Sequence, residues 1–547
     1  MALLRRSRVR SIVGEPIQES VVRPRVVAGS FAEDCIGVAR RLDFGGHLTI
    51  HNLITPRTWT VGLLRLLVPA FVADQRRLLG TLHMIRFDSM PWACKVEAKG
   101  IEVTVERLVH HSGQVCLMYP VAEFGEMALR TGTLPERPEP YSLSVELARG
   151  TLDRFRNQLG MWRESGLAIA AEIDEWAEAA TRALAEAVLL VDSFERQTEL
   201  AHQSLNQSMR GIFALCNSFT RQVAQWRRQE GGAAAKLGIR ITAEGLPSDW
   251  LAQVGGEFQL VCIGDHLEVP AAPVERRSPL ARYHAEAGRA GRTVMLGPIW
   301  DAGKGGLPAS INEIASFEEK RRAAREYFIH GLNRIEEQPD WLYVASGLNG
   351  IGHRHLSYPQ QMQMVVDLLQ LVDEFNRQVP VLISLDHPWS ERLAWSVGGA
   401  QGLQIADILL RQDVRISGLG LEINLDYWPL GSLPRDPLQW LELIDVWSLF
   451  GVPLMLFLRI PTGRPTGDAA VDGLIRNSFG GPEKWTYVET VLSLAMSRPA
   501  VQAVIWNEWG DRAGPPYPLA GLFDAGGGRK SILSLLLSVR QRLTETQ

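Results

Sequence analysis

From residue 231 onward the chain alternates short, almost wholly apolar runs with longer segments whose apolar residues recur every three or four positions. The apolar runs are Leu237–Ala243, Phe258–Ile263, Thr293–Trp300, Trp341–Ser346, Val381–Asp386, Ile416–Asn424, Phe450–Arg459 and Val501–Trp506. Runs of this length and composition read as strands buried on both faces, the hallmark of parallel pairing. The segments between them, among them Phe317–Ile335, Gln360–Phe375, Trp389–Leu410, Leu438–Phe450 and Pro482–Ser497, carry helical periodicity. Eight such alternations predict an α/β chain whose residues 231–547 form a (β/α)8 TIM barrel, with its functional site at the C-terminal ends of the strands.

The pattern upstream is different. Between residues 22 and 140, Gly and Pro punctuate short alternating runs such as His47–Ile54, Ile101–Leu108 and Val115–Tyr119, which predicts a β-sandwich-like domain. Residues 141–230 turn helical, with apolar positions at helix spacing in Val145–Arg156, Ala168–Leu190 and Gln197–Arg228. This stretch reads as a helical connector whose Glu146, Arg149, Arg154 and Arg156 lie on a solvated or ion-paired face. Residues 1–21 read as a flexible tail, and Gly231-Gly-Ala-Ala-Ala as a linker into the barrel.

Composition narrows the function classes. A chain of 547 residues with 46% hydrophobic and 22% charged residues is an ordinary multidomain globular protein. A net charge of −4 gives no basic field for nucleic acid. The basic start, Arg5-Arg6-Ser-Arg8-Val-Arg10, is not followed by the apolar segment of a secretory signal, and no run approaches a membrane span, so a cytoplasmic protein is expected. Five cysteines without a C-x-x-C spacing fit reduced thiols. No metal or cofactor is expected: His353 and His355 lack a third recognised ligand, and no Walker-type phosphate loop occurs.

Carboxylates gather at the predicted strand ends. Asp386-His387 closes the fifth strand, Glu422 and Asn424 end the sixth, Glu508 follows the eighth in Trp506-Asn-Glu-Trp-Gly-Asp511, and Asp265-His266 closes the second. Alternate C-terminal side chains of barrel strands point into the mouth, which would let Glu422, Glu508 and Asp386 face one another there. Trp300, Trp389, Tyr427, Trp428, Trp506 and Trp509 stand at or just beyond strand ends, where flat rings suit the apolar faces of sugars.

Ile416-Ser-Gly-Leu-Gly-Leu-Glu-Ile-Asn424 resembles the I-D-G-I-G-L-Q-S-H pattern on strand six of glycoside hydrolase family 10, the xylanases. Gly297-Pro-Ile-Trp300 with Asp301, Asp340-Trp-Leu-Tyr-Val-Ala-Ser-Gly347, and Pro518-Leu-Ala-Gly-Leu-Phe-Asp524 followed by Gly528-Arg-Lys-Ser531 resemble further blocks of that family in order and spacing. The resemblance covers roughly residues 236–545 and implies a barrel that takes an oligo- or polysaccharide. It also implies that the acid/base glutamate position falls on Ser346 and the nucleophile position on Leu458. Retaining hydrolysis needs two carboxyl groups about 5–5.5 Å apart, and neither serine nor leucine supplies one.

Two readings therefore stand. In the first, O-glycosidic bonds are hydrolysed by relocated carboxylates, Glu422 and Glu508. Asp265, His266, Trp300, Asp301, Ser346, Asp386, His387, Asn424, Trp428, Trp506 and Trp509 then hold the substrate. In the second, the chain is an inactive pseudoglycosidase that binds a glycan or a protein partner. Oligomeric state is not legible in the residues.

Overall fold

The computed structural model describes residues 62–544 except 87–88, 108–109, 191, 243–245, 247–248, 255–256, 265–278, 305, 350–355, 395–400, 464–474, 477, 480 and 512–516. The expected strand at 47–54, the pair Asp265-His266 and the histidines at 353 and 355 lie outside the described residues. Among the described residues, no helix is long and apolar enough to cross a membrane.

The upstream region forms two four-stranded sheets. One contains β1 (Gly62–Leu67), β4 (Lys95–Lys99), β5 (Glu102–Arg107) and β8 (Tyr141–Ser142). The other contains β2 (His83–Ile85), β3 (Pro91–Trp92), β6 (Gln114–Val121) and β7 (Gly125–Arg130). Pairing is antiparallel except between β1 and β8. Residues 141–230 are helical as expected, in Leu143–Glu164, Ala171–Leu189 and Phe194–Gln229. The first and third pack closely because position 211 is glycine: a Cβ there would lie 2.1 Å from the ring of Phe155. A stacked Trp162–Phe219 pair, 4.2 Å between centroids, extends that seam.

The remaining strands are β9 (Lys236–Ile241), β10 (Leu260–Ile263), β11 (Thr293–Leu296), β12 (Trp300–Asp301), β13 (Trp341–Ser346), β14 (Val381–Asp386), β15 (Gly418–Asn424), β16 (Leu454–Arg459) and β17 (Val501–Trp506). All pair in parallel, and the β17–β9 and β11–β13 pairings close an eight-stranded ring, with β12 as a short extension on β13. This is a (β/α)8 TIM barrel. Helices Pro279–Arg289, Phe317–Leu332, Tyr358–Phe375, Gly402–Leu410, Pro437–Ser448, Glu483–Ser497 and Ser531–Thr544 intervene and follow.

Strand alternation divides the barrel's side chains in two. Leu260, Cys262, Met295, Tyr343, Leu382, Met455, Phe457, Ala503 and Ile505 form a separate cluster inside the ring, with Tyr343 stacked on Phe457. Their strand neighbours, including Ile239, Val344, Ile383, Ile423, Leu458 and Trp506, join the larger core beneath the helices. The interior is thus a packed plug, and polar side chains begin where it ends.

The upstream sheets dock on loops at the barrel's C-terminal rim. Along β7, Glu126 N donates to Ser478 O and Ala128 N donates to Pro434 O, both at 2.7 Å. Gly125, at φ +79°, permits this approach, since a Cβ there would sit 2.7 Å from Ser478 O. Arg154 on the connector reaches the fully buried Asp436, Nη1 to Oδ2 at 2.9 Å, and Asp436 caps the helix Pro437–Ser448 through Gln439 N. Arg154 is therefore a half-buried ion-pair partner of a fully buried carboxylate, and it ties connector to barrel.

Candidate functional site

The mouth is built by continuing each strand's inward register past the apolar plug. On β14 the inward residues are Leu382, Ser384 and Asp386. On β15 they are Gly420, Glu422 and Asn424, paired with those of β14 so that Asp386 stands directly beside Glu422. On β16 they are Met455, Phe457 and Arg459. Ser346 follows the bulge in β13 and pairs with Asp301 of β12, which places both on the inner face.

Arg459 organises this layer. Its Nε donates to Glu508 Oε1 at 2.9 Å and its Nη1 donates to Asn424 Oδ1 at 3.0 Å. With the amide of Asn507 turned so that its oxygen faces the guanidinium, that oxygen accepts from Nη1 at 2.7 Å and Nη2 at 3.1 Å. Glu422 Oε2 lies 3.7 Å from Nη1. The guanidinium also sits over the ring of Tyr517, 4.7 Å from its centroid. Arg459, Glu422 and Glu508 are 6%, 8% and 9% exposed, so the cation and both carboxylates are desolvated together.

Glu422 rests on hydroxyl groups from the neighbouring strands. Ser384 Oγ donates to its Oε1 at 2.6 Å, and Tyr343 Oη lies 3.0 Å from the same oxygen. Burial, then the nearby negative charge of Asp386, raise the Glu422 pKa; Arg459 and the Ser384 hydroxyl oppose the rise, and Asp301 adds to it. Asp386 Oδ1 accepts from Asn424 Nδ2 at 3.1 Å and from His387 N at 2.8 Å. His387, at φ +45°, keeps a buried Nδ1 with no hydrogen-bond partner, and Ser346 Oγ is likewise buried and unpartnered.

The sequence-based expectations fall into three groups. Glu422, Glu508, Asp301, Ser346, Asp386, His387 and Asn424 are brought to the mouth, with the two glutamates meeting through Arg459. Asp265 and His266 lie outside the described residues. The aromatic expectations change most. Trp300 packs against Phe328 on the outer helix Phe317–Leu332. Trp506 shares the outward register with Leu458 and Ile239 and donates Nε1 to Ala520 O at 2.8 Å. Both rings are sealed in the layer behind the strands rather than presented to the mouth, at 2% and 0% exposure. Trp509 stacks on Phe523, centroids 4.6 Å apart. Tyr427 is buried, its hydroxyl donating to Pro518 O at 2.7 Å, whereas Trp389, Trp428 and Trp509 are half-buried and pack against the main core.

Leu458 lies in the same outward register as Trp506. It faces the helices, so the inward residue at the end of this strand is Arg459. Arg459, Tyr343, Ser384, Asn507 and Tyr517 were missed by sequence reasoning. For Arg459 a signal exists: it is the single charge ending the apolar run Leu454–Arg459.

These features define a parallel (β/α)8 barrel with a buried, charged hydrogen-bond network at its mouth. No family model and no curated protein matches the chain. Among solved structures, it is similar to native xylanase 10B from Thermotoga maritima, at 12% identity and TM-score 0.43 over 59% of this chain and 98% of that one. It is also similar to a GH10 endoxylanase from a sugarcane soil metagenome, at 11% identity and TM-score 0.43 over 56% and 97%. A third likeness is to an endo-1,4-beta-xylanase from Penicillium canescens, at 12% identity and TM-score 0.42 over 59% and 97%.

Proposed function

We propose that this chain is a glycoside hydrolase-like barrel that binds a neutral carbohydrate at its mouth without cleaving it. The observation that carries the reading is the position of Arg459 between Glu422 and Glu508. Glycoside cleavage passes through an oxocarbenium-like state with positive charge at the anomeric carbon. A buried guanidinium bonded to one carboxylate and close to the other opposes that charge and occupies the attacking group. The same side chains suit binding, because Asp386, Asn424, Glu422 and Tyr517 offer hydrogen-bond donors and acceptors at the mouth, and half-buried Trp428, just beyond the end of β15, offers an apolar ring.

Hydrolysis by relocated carboxylates is favoured by one observation, the raised pKa of Glu422, which suits a general acid. The two readings separate in one experiment. The purified full-length protein and its Glu422→Gln variant are assayed for reducing-sugar release and for saturable binding on a panel of xylans, glucans, mannans and aryl glycosides. Binding without product is expected. Product formation that disappears in Glu422→Gln establishes the hydrolase, and no binding to any member overturns the carbohydrate reading.

A further inference from the structure

Asp386 is held at its backbone by a side chain. The pairing of β14 with β13 ends at Ile383, three residues before Asp386. Beyond it, Asn349, in the turn after β13, takes over: its Oδ1 accepts from Asp386 N at 2.7 Å and its Nδ2 donates to Asp386 O. One amide thus does what a neighbouring strand would do, satisfying both peptide groups where the ladder has run out. The turn itself is pinned, since Arg392 Nη1 donates to Asn349 O at 2.9 Å and the buried Gln361 donates to Leu348 O.

The carboxyl group is oriented through one oxygen. Oδ1 takes His387 N–H at 2.8 Å and Asn424 Nδ2–H at 3.1 Å. The Asn424 amide cannot turn over, because its oxygen accepts from Arg459 Nη1 at 3.0 Å. Oδ2 makes no hydrogen bond among the described residues, and His387 Nε2 stands 3.9 Å from it, out of range. Unlike Ser346 Oγ and His387 Nδ1, Oδ2 is not sealed from solvent, and because Asp386 faces inward, that solvent lies in the mouth. Glu422 and Glu508 are both turned toward Arg459, whereas Asp386 reaches that cation only through Asn424. A carboxylate oxygen that is mostly enclosed, with the side chain 16% exposed, calls for a donor from outside the chain.

We propose that Asp386 Oδ2 accepts a hydrogen bond from a hydroxyl of the bound sugar, and that Asn349 is the positioning residue that holds Asp386 in place for it. The inference rests on the carbohydrate reading and specifies the ligand group: an uncharged sugar presents an O–H here. The carboxylate of an acidic sugar is rejected at the same point, having no proton to donate and carrying the same charge as Asp386.

The test is titration calorimetry of the full-length protein with xylohexaose, cellohexaose and mannohexaose. In Asp386→Asn the two donors at Oδ1 hold the amide oxygen there, so an NH2 group replaces Oδ2 and a charged acceptor becomes a donor. Affinity for the bound hexasaccharide then falls roughly ten- to a hundredfold, and Asn349→Ala lowers it in the same sense. A second readout needs no ligand. Carbonyl-13C aspartate with 15N histidine marks two amides in the chain, those of His266 and His387, and Asp386→Asn identifies the latter by removing its coupling. Asn349→Ala moves the His387 resonance, because Oδ1 shifts against that N–H. Affinity in Asp386→Asn within about twofold of the parent overturns the proposal, and this variant, unchanged in bulk, decides even where Asn349→Ala does not fold. Unchanged affinity with an unmoved His387 signal in folded Asn349→Ala overturns the positioning role. No binding of any hexasaccharide by the parent overturns the carbohydrate reading and this inference with it, whereas binding indifferent to Asp386→Asn overturns this inference alone.

Discussion

Arg459→Met removes the guanidinium while keeping much of the side chain's bulk. Glu508 then loses its 2.9 Å bond, and Asn424 and Asn507 each lose a charged donor. Removing one partner of a buried ion pair costs about 3–5 kcal/mol, because the other charge stays desolvated. The side chains of Arg459 and Glu508 are 7% and 11% exposed, so little solvent screening is available to lessen it. Against a usual stability of about 5–15 kcal/mol, such a loss is large. Urea unfolding followed by tryptophan fluorescence measures it as a lower midpoint, provided the slope is unchanged. Glu508→Gln and the double variant complete a cycle. If the stranded carboxylate causes the loss, the double variant recovers part of it, with a coupling of up to about 3 kcal/mol. Additivity of the two changes within about 0.5 kcal/mol refutes the reasoning.

Asp436 gives a pH-dependent counterpart. Burial works against its ionisation, but Arg154 and Gln439 together hold its pKa below the ordinary 3.8. A folded-state pKa below the unfolded value adds stability that is present above about pH 4 and lost as pH falls through the folded value. Asp436→Asn is therefore most destabilised relative to the parent at neutral pH, and the gap closes in acid; a gap that widens in acid contradicts the assignment. Gly420→Ala places a Cβ 2.7 Å from that of Ser384 and 2.9 Å from the Phe457 ring, and calorimetry should register overpacking of about 1–3 kcal/mol. Trp428→Ala is expected to weaken glycan binding in titration calorimetry with the thermal midpoint nearly unchanged; undiminished affinity removes Trp428 from the site.

The fold was legible where periodicity was unambiguous. Val381–Asp386 and Val501–Trp506 are strands with the expected bounds, and Trp341–Ser346 likewise. The run Phe450–Arg459 forms a strand only from Leu454, because Phe450-Gly-Val-Pro belongs to the turn after the helix Pro437–Ser448. Strand three divides into Thr293–Leu296 and the short Trp300–Asp301, since Gly297, at φ +131°, and Pro298 interrupt the ladder.

By themselves, the residues determined that eight buried strands alternate with helices, that a helical connector precedes them, and that Glu422, Asp386, Asn424 and Glu508 lie near strand ends. Only the tertiary structure decided which side of the wall each neighbouring residue occupies. Successive strand residues face opposite ways, so a displacement of one position exchanges the mouth for the helix layer. That single step removes Leu458, Trp300 and Trp506 from the mouth and installs Arg459 between two glutamates. Its partners are distant in sequence, Asn424 and Glu508 on the flanking strand ends, and the parallel pairing of β15, β16 and β17 brings them together where no local pattern records it.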